Sequence, residues 1–239
     1  MDKLILHQPH TRPWGTPNLS PFCTKLETYL RMAEVPYEAV PADFRKAPKG
    51  KIPFVALDGE LLGDSQLIIE ELEQRLGDRA LDAGLPPRDH ATARLLRRTL
   101  EEAYYFVGMY FRWQTDDGYA VLAPEFKRVL PAPFRIAMPM IRRGTKKQLH
   151  KQGTGRHTRE EVAAMGERDL AAFSELLGDR PFLFGDRPRT VDATLYAFME
   201  STFGFPLDSP LQRAAKTHAN LVAYRDRVRD RWWKDLAAS

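Results

Sequence analysis

Cysteine occurs once in the 239 residues, at Cys23, so the chain has no internal disulfide and lacks the covalent framework of small secreted domains. No run approaches the roughly 18 consecutive apolar residues of a membrane span. The opening Met1-Asp2-Lys3-Leu4-Ile5-Leu6 lacks the basic region and long apolar stretch of a secretory signal. These absences predict a cytoplasmic protein with no direct membrane insertion. A one-signed charge excess is missing too, since 36 Lys and Arg face 32 Asp and Glu for a net charge of +4. That balance does not predict nucleic-acid binding, and Arg142-Arg143 with Lys146-Lys147, like the run from Arg225 to Lys234, reads as a solvated face. The six His and one Cys show neither paired ligand spacing nor an H-E-x-x-H helix, so no metal is expected. Gly153-Thr154-Gly155-Arg156-His157 lacks the lysine and the preceding strand of a phosphate loop.

What is present is core-forming material: 43% apolar and 28% charged residues, enough for one large or two modest domains. Short β-type runs occur only in the first eighty residues, and 3.6-residue periodicity fills the rest. Gly84-Leu85-Pro86-Pro87-Arg88-Asp89 has linker composition, which separates residues 1–84 from residues 89–239. In the first part, Lys3–His7, Tyr37–Val40, Phe54–Leu57 and Glu60–Leu62 read as strands, and Asp58-Gly59 predicts a type I′ hairpin between the last two. Ser20 caps a helix with Pro21 in its first turn and Phe22, Leu26, Tyr29, Leu30 and Ala33 on one face. A second helix starts at Ser65, turns Ile68, Ile69, Leu72 and Leu76 inward, and stops at Gly77.

The second part reads as all-helical. A helix capped by Asp89 is predicted to bury Leu95, Leu96, Leu100 and Ala103, and Thr158 with Glu161 forms a capping box for a helix ending at Gly178. Thr190 is the expected cap of a further helix, and Leu221, Tyr224, Val228 and Trp232 mark the face of the last.

Three short motifs carry candidate chemistry. Ser20-Pro21-Phe22-Cys23 places a hydroxyl and a thiol at the positive end of a helix, where a thiolate is stabilised; the same residues also suit a plain helix start with a small buried Cys. Ile52-Pro53 opens a strand, where an ordinary trans proline at a sheet edge fits as well as a cis bond, which would turn the Ile52 backbone out toward an extended peptide. Asp64-Ser65 opens a helix able to receive a carboxylate on the Ser and an ammonium on the Asp; taken alone, the pair equally makes a plain helix cap.

In this order the motifs resemble the cytosolic glutathione transferase superfamily. Gln152-Gly153-Thr154-Gly155-Arg156-His157, Gly166-Glu167-Arg168-Asp169-Leu170, Leu177-Gly178-Asp179-Arg180-Pro181-Phe182 and Thr190-Val191-Asp192-Ala193-Thr194-Leu195 are similar to its failed axon connections and metaxin-like branch. The resemblance implies an α/β thioredoxin-like N-terminal domain followed by an all-α C-terminal domain. It further implies glutathione as cosubstrate, bound by Lys51, Ile52, Pro53, Asp64 and Ser65, with Ser20 stabilising its thiolate for attack on a small hydrophobic electrophile. Cys23 is a redox or secondary candidate, through a mixed disulfide with glutathione, and Trp113, Arg156 and His157 are candidates for the second-substrate pocket. A homodimer is expected. The alternative within the branch is a non-enzymatic adaptor, as in metaxins of mitochondrial import, with a vestigial glutathione site.

Two departures from the family pattern bear on these expectations. The acid of the helix start at Thr190 comes one place early, at Asp192. The proline-rich His10–Leu19 segment before Ser20 is long enough either to cover the thiol site or to displace Ser20 from it.

Overall fold

A computed structural model describes residues 4–130 and 132–236. Strand β1 (Leu4–Gln8) alternates buried and half-buried side chains and pairs in parallel with β2 (Tyr37–Pro41). On its other side it pairs antiparallel with β3 (Phe54–Leu57), which pairs with β4 (Glu60–Gly63), so the sheet order is β2-β1-β3-β4. The hairpin turn has positive φ at both Asp58 and Gly59 (51° and 85°), as a type I′ turn requires. β1 extends one residue beyond the expected His7 because Gln8 stays in register with Pro41; Lys3, its expected start, lies outside the described residues.

Helix α1 (Pro21–Met32) connects the parallel strands, and α2 (Ser65–Leu76) comes after the hairpin. The sequence predicts a single apolar face for α1, but the helix is buried nearly all round, Lys25, Glu27 and Thr28 included. The reason is a second layer: α8 (Thr190–Phe203) lies along the side of α1 turned away from the sheet.

The remainder is helical. In chain order before α8 come α3 (Pro87–Thr99), α4 (Tyr105–Met109), α5 (Asp116–Val129), α6 (Met138–Gln152) and α7 (Arg159–Leu177). After it come α9 (Pro210–Thr217) and α10 (Ala219–Trp232). α3 starts at Pro87 rather than at an Asp89 cap, since proline suits the first helical position; Asp89 sits in the first turn, where its charge complements the dipole. Two π turns, Leu100–Tyr104 and Tyr110–Gln114, interrupt the expected long helix. The inward series runs Leu96, Leu100, Tyr104, Val107 and Tyr110; the first π turn leaves Ala103 exposed, while Leu95, ahead of it, is 69% exposed because it stands one position off the line from Leu96 to Leu100. The Thr158–Glu161 capping box forms as expected.

The helical half grips the sheet half at both ends. Arg189 donates to the carbonyls of Leu81 (2.8 Å) and Ala83 (2.9 Å), and Thr190 Oγ1 donates to Asp82 at 2.7 Å. At the carboxyl end, Trp233 Nε1 donates to Thr28 Oγ1 at 3.1 Å while the Arg31 guanidinium stacks 3.8 Å from the Trp233 ring. Trp233, rather than the expected Trp232, thus takes the fully buried place. The basic run starting at Arg225 is also less solvated than expected, because Arg229 (2.9 Å) and Arg225 (3.7 Å) flank the buried Glu200 of α8.

Candidate functional site

The register of the sheet gathers most of the predicted residues at one end. Phe54 pairs with His7 of β1 and Gly63 of β4, so Pro53 just before β3 and Asp64 just after β4 meet beside the carboxyl end of β1. The Ile52–Pro53 peptide is cis. Lys51 is exposed and makes no ion pair among the described residues.

Ser20 is tied to the same end through Asn18. Asn18 Nδ2 donates to Pro9 O just past β1 (2.9 Å), and the Ser20 N–H donates to Asn18 Oδ1 (3.1 Å). Ser20 then caps α1, its Oγ accepting the Cys23 N–H at 3.4 Å. The Ser20 hydroxyl also hydrogen-bonds the Cys23 thiol, and the Phe22 N–H has no partner among the described residues. Hydroxyl, amide and helix dipole together favour an anion at this point.

The His10–Leu19 segment is pinned to the helical half. Arg229 Nη2 donates to Gly15 O (2.8 Å), Arg112 Nη1 donates to Leu19 O (3.0 Å), and the Trp14 ring stands edge-on to Phe205 at 5.2 Å. Gly204 makes room for Thr16, whose Cγ2 an added Cβ would strike. Ser20 stays at the helix cap.

Cys23 is fully buried, and burial pushes its thiol up to about 12, against the smaller opposing effect of its hydrogen bond with Ser20. Burial therefore disfavours the thiolate at neutral pH and keeps reagents from the sulfur, which opposes the redox role expected of Cys23. Iodoacetamide at pH 8 is therefore expected to leave Cys23 unmodified in the folded protein and to alkylate it fully in urea. Intact mass checks this, and rapid alkylation of the folded chain would contradict the burial.

Asp64 caps α2 with Oδ1, which accepts from the N–H of Gln66 (2.9 Å) and of Leu67 (3.3 Å), at a φ of 85° that turns the chain sharply out of β4. Ser65 is buried beside it, its hydroxyl without a hydrogen bond among the described residues. Behind this helix start lies a charged group that the motifs do not announce. The fully buried Lys25 Nζ donates to Gln66 Oε1 (2.8 Å) and to Glu101 (2.6 Å), which also holds Arg97 (2.7 Å). Burial lowers Lys25 while Glu101 opposes the shift. One signal existed: Lys25 stands three residues after Phe22 and four before Tyr29, on a face otherwise apolar.

The second-substrate candidates divide. Trp113 shares an apolar cluster with Leu19, the neighbour of Ser20, and with Phe205, but is only 5% exposed and packs edge-on against Phe126 at 5.0 Å. Arg156 and His157 are exposed; Arg156 Nε donates to His150 O (2.9 Å) and His157 lies 3.3 Å from Glu161. Neither is brought to Ser20 by any contact among the described residues. The residues that do reach the start of α1 are Phe22 itself, Tyr105 with its ring 5.1 Å from Phe22, and Phe198 at 5.8 Å.

A thioredoxin-like sheet domain whose first helix is capped by a serine hydroxyl, joined to an all-helical domain, defines the glutathione transferase class of fold. Family models agree: the glutathione S-transferase N-terminal domain matches residues 21–118 and the glutathione S-transferase C-terminal domain matches residues 166–228. The isoprene-epoxide–glutathione S-transferase of Rhodococcus sp. (strain AD45) is 34% identical over 92% of this chain and 95% of its own. Failed axon connections of Drosophila melanogaster is 31% identical over 92% of this chain, which spans 56% of that protein, and metaxins match at lower identity. Among solved structures, a glutathione S-transferase of Methylobacterium radiotolerans in complex with glutathione sulfonate superposes with a TM-score of 0.60 at 22% identity, covering 95% of this chain and 90% of that one. The chain belongs to the glutathione S-transferase family, in the branch that includes failed axon connections and the metaxins. Among the described residues no helix is long and apolar enough to cross a membrane.

Proposed function

We propose that the protein conjugates glutathione to a small apolar epoxide, with Ser20 stabilising the thiolate. The observation that carries this reading is the convergence of Ser20, Pro53 and Asp64-Ser65 at one end of the sheet. The Ser65 hydroxyl and the free oxygen of Asp64 suit the carboxylate and ammonium of a γ-glutamyl group, the Ile52 backbone the cysteinyl segment, and Lys51 the glycyl carboxylate. The thiol gives its proton to solvent; its sulfur attacks an epoxide carbon, the C–S bond forms, the C–O bond breaks, and the resulting alkoxide takes up a proton. The epoxide as substrate class is supported by the name of the Rhodococcus relative. A cytoplasmic, detoxifying homodimer completes the reading, supported by the lone reduced thiol and by apolar side chains left exposed at Leu61, Leu67 and Leu95.

Calorimetric titration with glutathione, followed by mass detection of the adduct with 1,2-epoxybutane, tests the proposal. No binding at millimolar glutathione would remove it. The likeness to metaxins favours a second reading, an adaptor with a vestigial site; capture of a stoichiometric protein partner by a chain that ignores glutathione is its signature.

A further inference from the structure

The segment between α5 and α7 concentrates the positive charge of the chain. From Phe126 to Thr158 there are nine Lys and Arg and no Asp or Glu, whereas the whole chain carries a net charge of only +4, so the rest of it is net acidic. The fold divides these cations between two faces of α6. Met138, Arg142, Thr145 and Leu149 follow one another at helical steps on the inner face. Met138 and Leu149 are buried in the apolar cluster that holds Leu19 and Trp113. Arg142 lies over the Tyr119 ring at 4.2 Å, donates to the carbonyls of Trp113 (3.1 Å) and Thr115 (3.1 Å), and pairs with Asp116 at 2.6 Å. Of the basic run expected to form a solvated face, Arg142 is thus turned inward.

The outer face has no such partners. Met140, Arg143, Lys147 and Lys151 are exposed at steps of three, four and four, a stripe of about 16 Å along the helix. Arg143, Lys147 and Lys151 make no ion pair among the described residues. Acids of the adjoining helices are engaged elsewhere, Glu125 with Arg128 (2.6 Å) and Asp117 with Arg159 (2.7 Å). At the amino end of the stripe stand Ile136, in the 3-10 turn Ala132–Ala137, and Met140, four residues on. Their exposures, 87% and 72%, are the largest of any bulky apolar side chain among the described residues. A single exposed aliphatic needs no explanation, but a close pair inside a field of unpaired cations is the pattern of a helix that lies on a lipid headgroup layer. A nucleic acid would take the cations and leave Ile136 and Met140 in water, so the apolar pair favours a bilayer.

We propose that the outer face of α6 docks the protein on an anionic phospholipid surface. Ile136 and Met140 enter the boundary between headgroups and acyl chains, and Arg143, Lys147 and Lys151 lie against the lipid charges. No segment crosses the bilayer in this arrangement, since α6 stays packed on the core through Met138, Arg142 and Leu149. Docking needs neither glutathione nor Ser20, so it stands apart from the transferase reading.

Flotation of the full chain with lipid vesicles is the test. Wild type is expected to float with vesicles of phosphatidylcholine carrying about 30% phosphatidylserine, and to bind pure phosphatidylcholine at least about tenfold more weakly. Each cation near such a surface is worth about fivefold in affinity, so Arg143→Gln, Lys147→Gln and Lys151→Gln together should weaken binding by about 100-fold. Ile136→Ser with Met140→Ser leaves the charge unchanged and should still weaken binding at least about tenfold. All five side chains are exposed, so the urea midpoint of either variant should match that of wild type. Equal flotation with both vesicle compositions, or none with either, would overturn the proposal on wild type alone, whatever the variants do. A charge variant that binds as wild type does would overturn the assignment to α6, and a serine variant that does so would overturn the seating of the apolar pair. A wild type that holds a DNA duplex more tightly than the anionic vesicles would replace the bilayer with nucleic acid.

Discussion

Ser20→Ala is expected to lower kcat/KM for glutathione conjugation by about 10²-fold to 10³-fold, the loss typical of removing one donor from a developing anion. The pH profile of the residual activity identifies the cause. If the hydroxyl stabilises the thiolate, its removal moves the rise in kcat/KM to higher pH, and the deficit shrinks as pH approaches the ordinary thiol pKa near 8.5. If the hydroxyl only capped α1, the variant would lose about 1 kcal/mol of stability with an unmoved profile. Ser20→Thr keeps both the cap and the proton and is expected to retain most of the rate. An unchanged turnover in Ser20→Ala would remove Ser20 from the mechanism.

The parts of this site that were legible in sequence are those set by a local backbone requirement. Asp58-Gly59 announces its hairpin because both residues tolerate positive φ, and that hairpin fixes the register that brings Pro53 to Asp64. Ser20-Pro21 announces a helix start because proline has no N–H to lose. What was hidden is nonlocal. α1 looks one-sided in sequence because its polar residues Lys25, Glu27 and Thr28 are satisfied by Glu101, Tyr37 and Trp233, far away in the chain. The π turns have no residue signature, so the phase of everything from Leu100 to Gln114 was beyond periodicity, and with it the placing of Tyr105 and Arg112 near Ser20. Arg156 and His157 became candidates through their place in a glycine-rich motif, whose backbone instead closes a turn, Arg156 N–H to Gly153 O, ahead of α7.

The same distinction explains why the acid at Asp192 looked misplaced. The helix cap begins one residue earlier than Thr190, at Arg189, so that Asp192 stands at the third helical position and accepts the Arg189 N–H at 2.8 Å. Its other oxygen accepts the Leu183 N–H (3.0 Å) and the Tyr224 hydroxyl (3.2 Å), joining the loop before α8 to α10. Because α8 lies against α1, the cap of one helix supports the placing of Ser20 on the other.

Asp192→Ala is therefore expected to cost about 2–4 kcal/mol of stability, since it leaves the buried N–H groups of Leu183 and Arg189 unpaired while the Tyr224 hydroxyl keeps the carbonyl of residue 192 at 2.9 Å, read as a lower midpoint in urea. The pH dependence of that deficit comes from the acid's environment. Asp192 is fully buried, and burial, outweighing the hydrogen bonds it accepts, pushes its carboxyl up to about 6. A carboxyl whose folded pKa exceeds its unfolded value binds more protons in the native state, so its contribution to stability grows as pH falls through 6 and levels off near 4. A two-unit separation corresponds to roughly 3 kcal/mol. Alanine does not titrate, so the gap between wild type and Asp192→Ala should widen between pH 7 and pH 4, while every other carboxylate affects both proteins alike. A gap that narrows on acidification would mean that the three donors hold the ionised form, and that desolvation is the smaller effect at this cap.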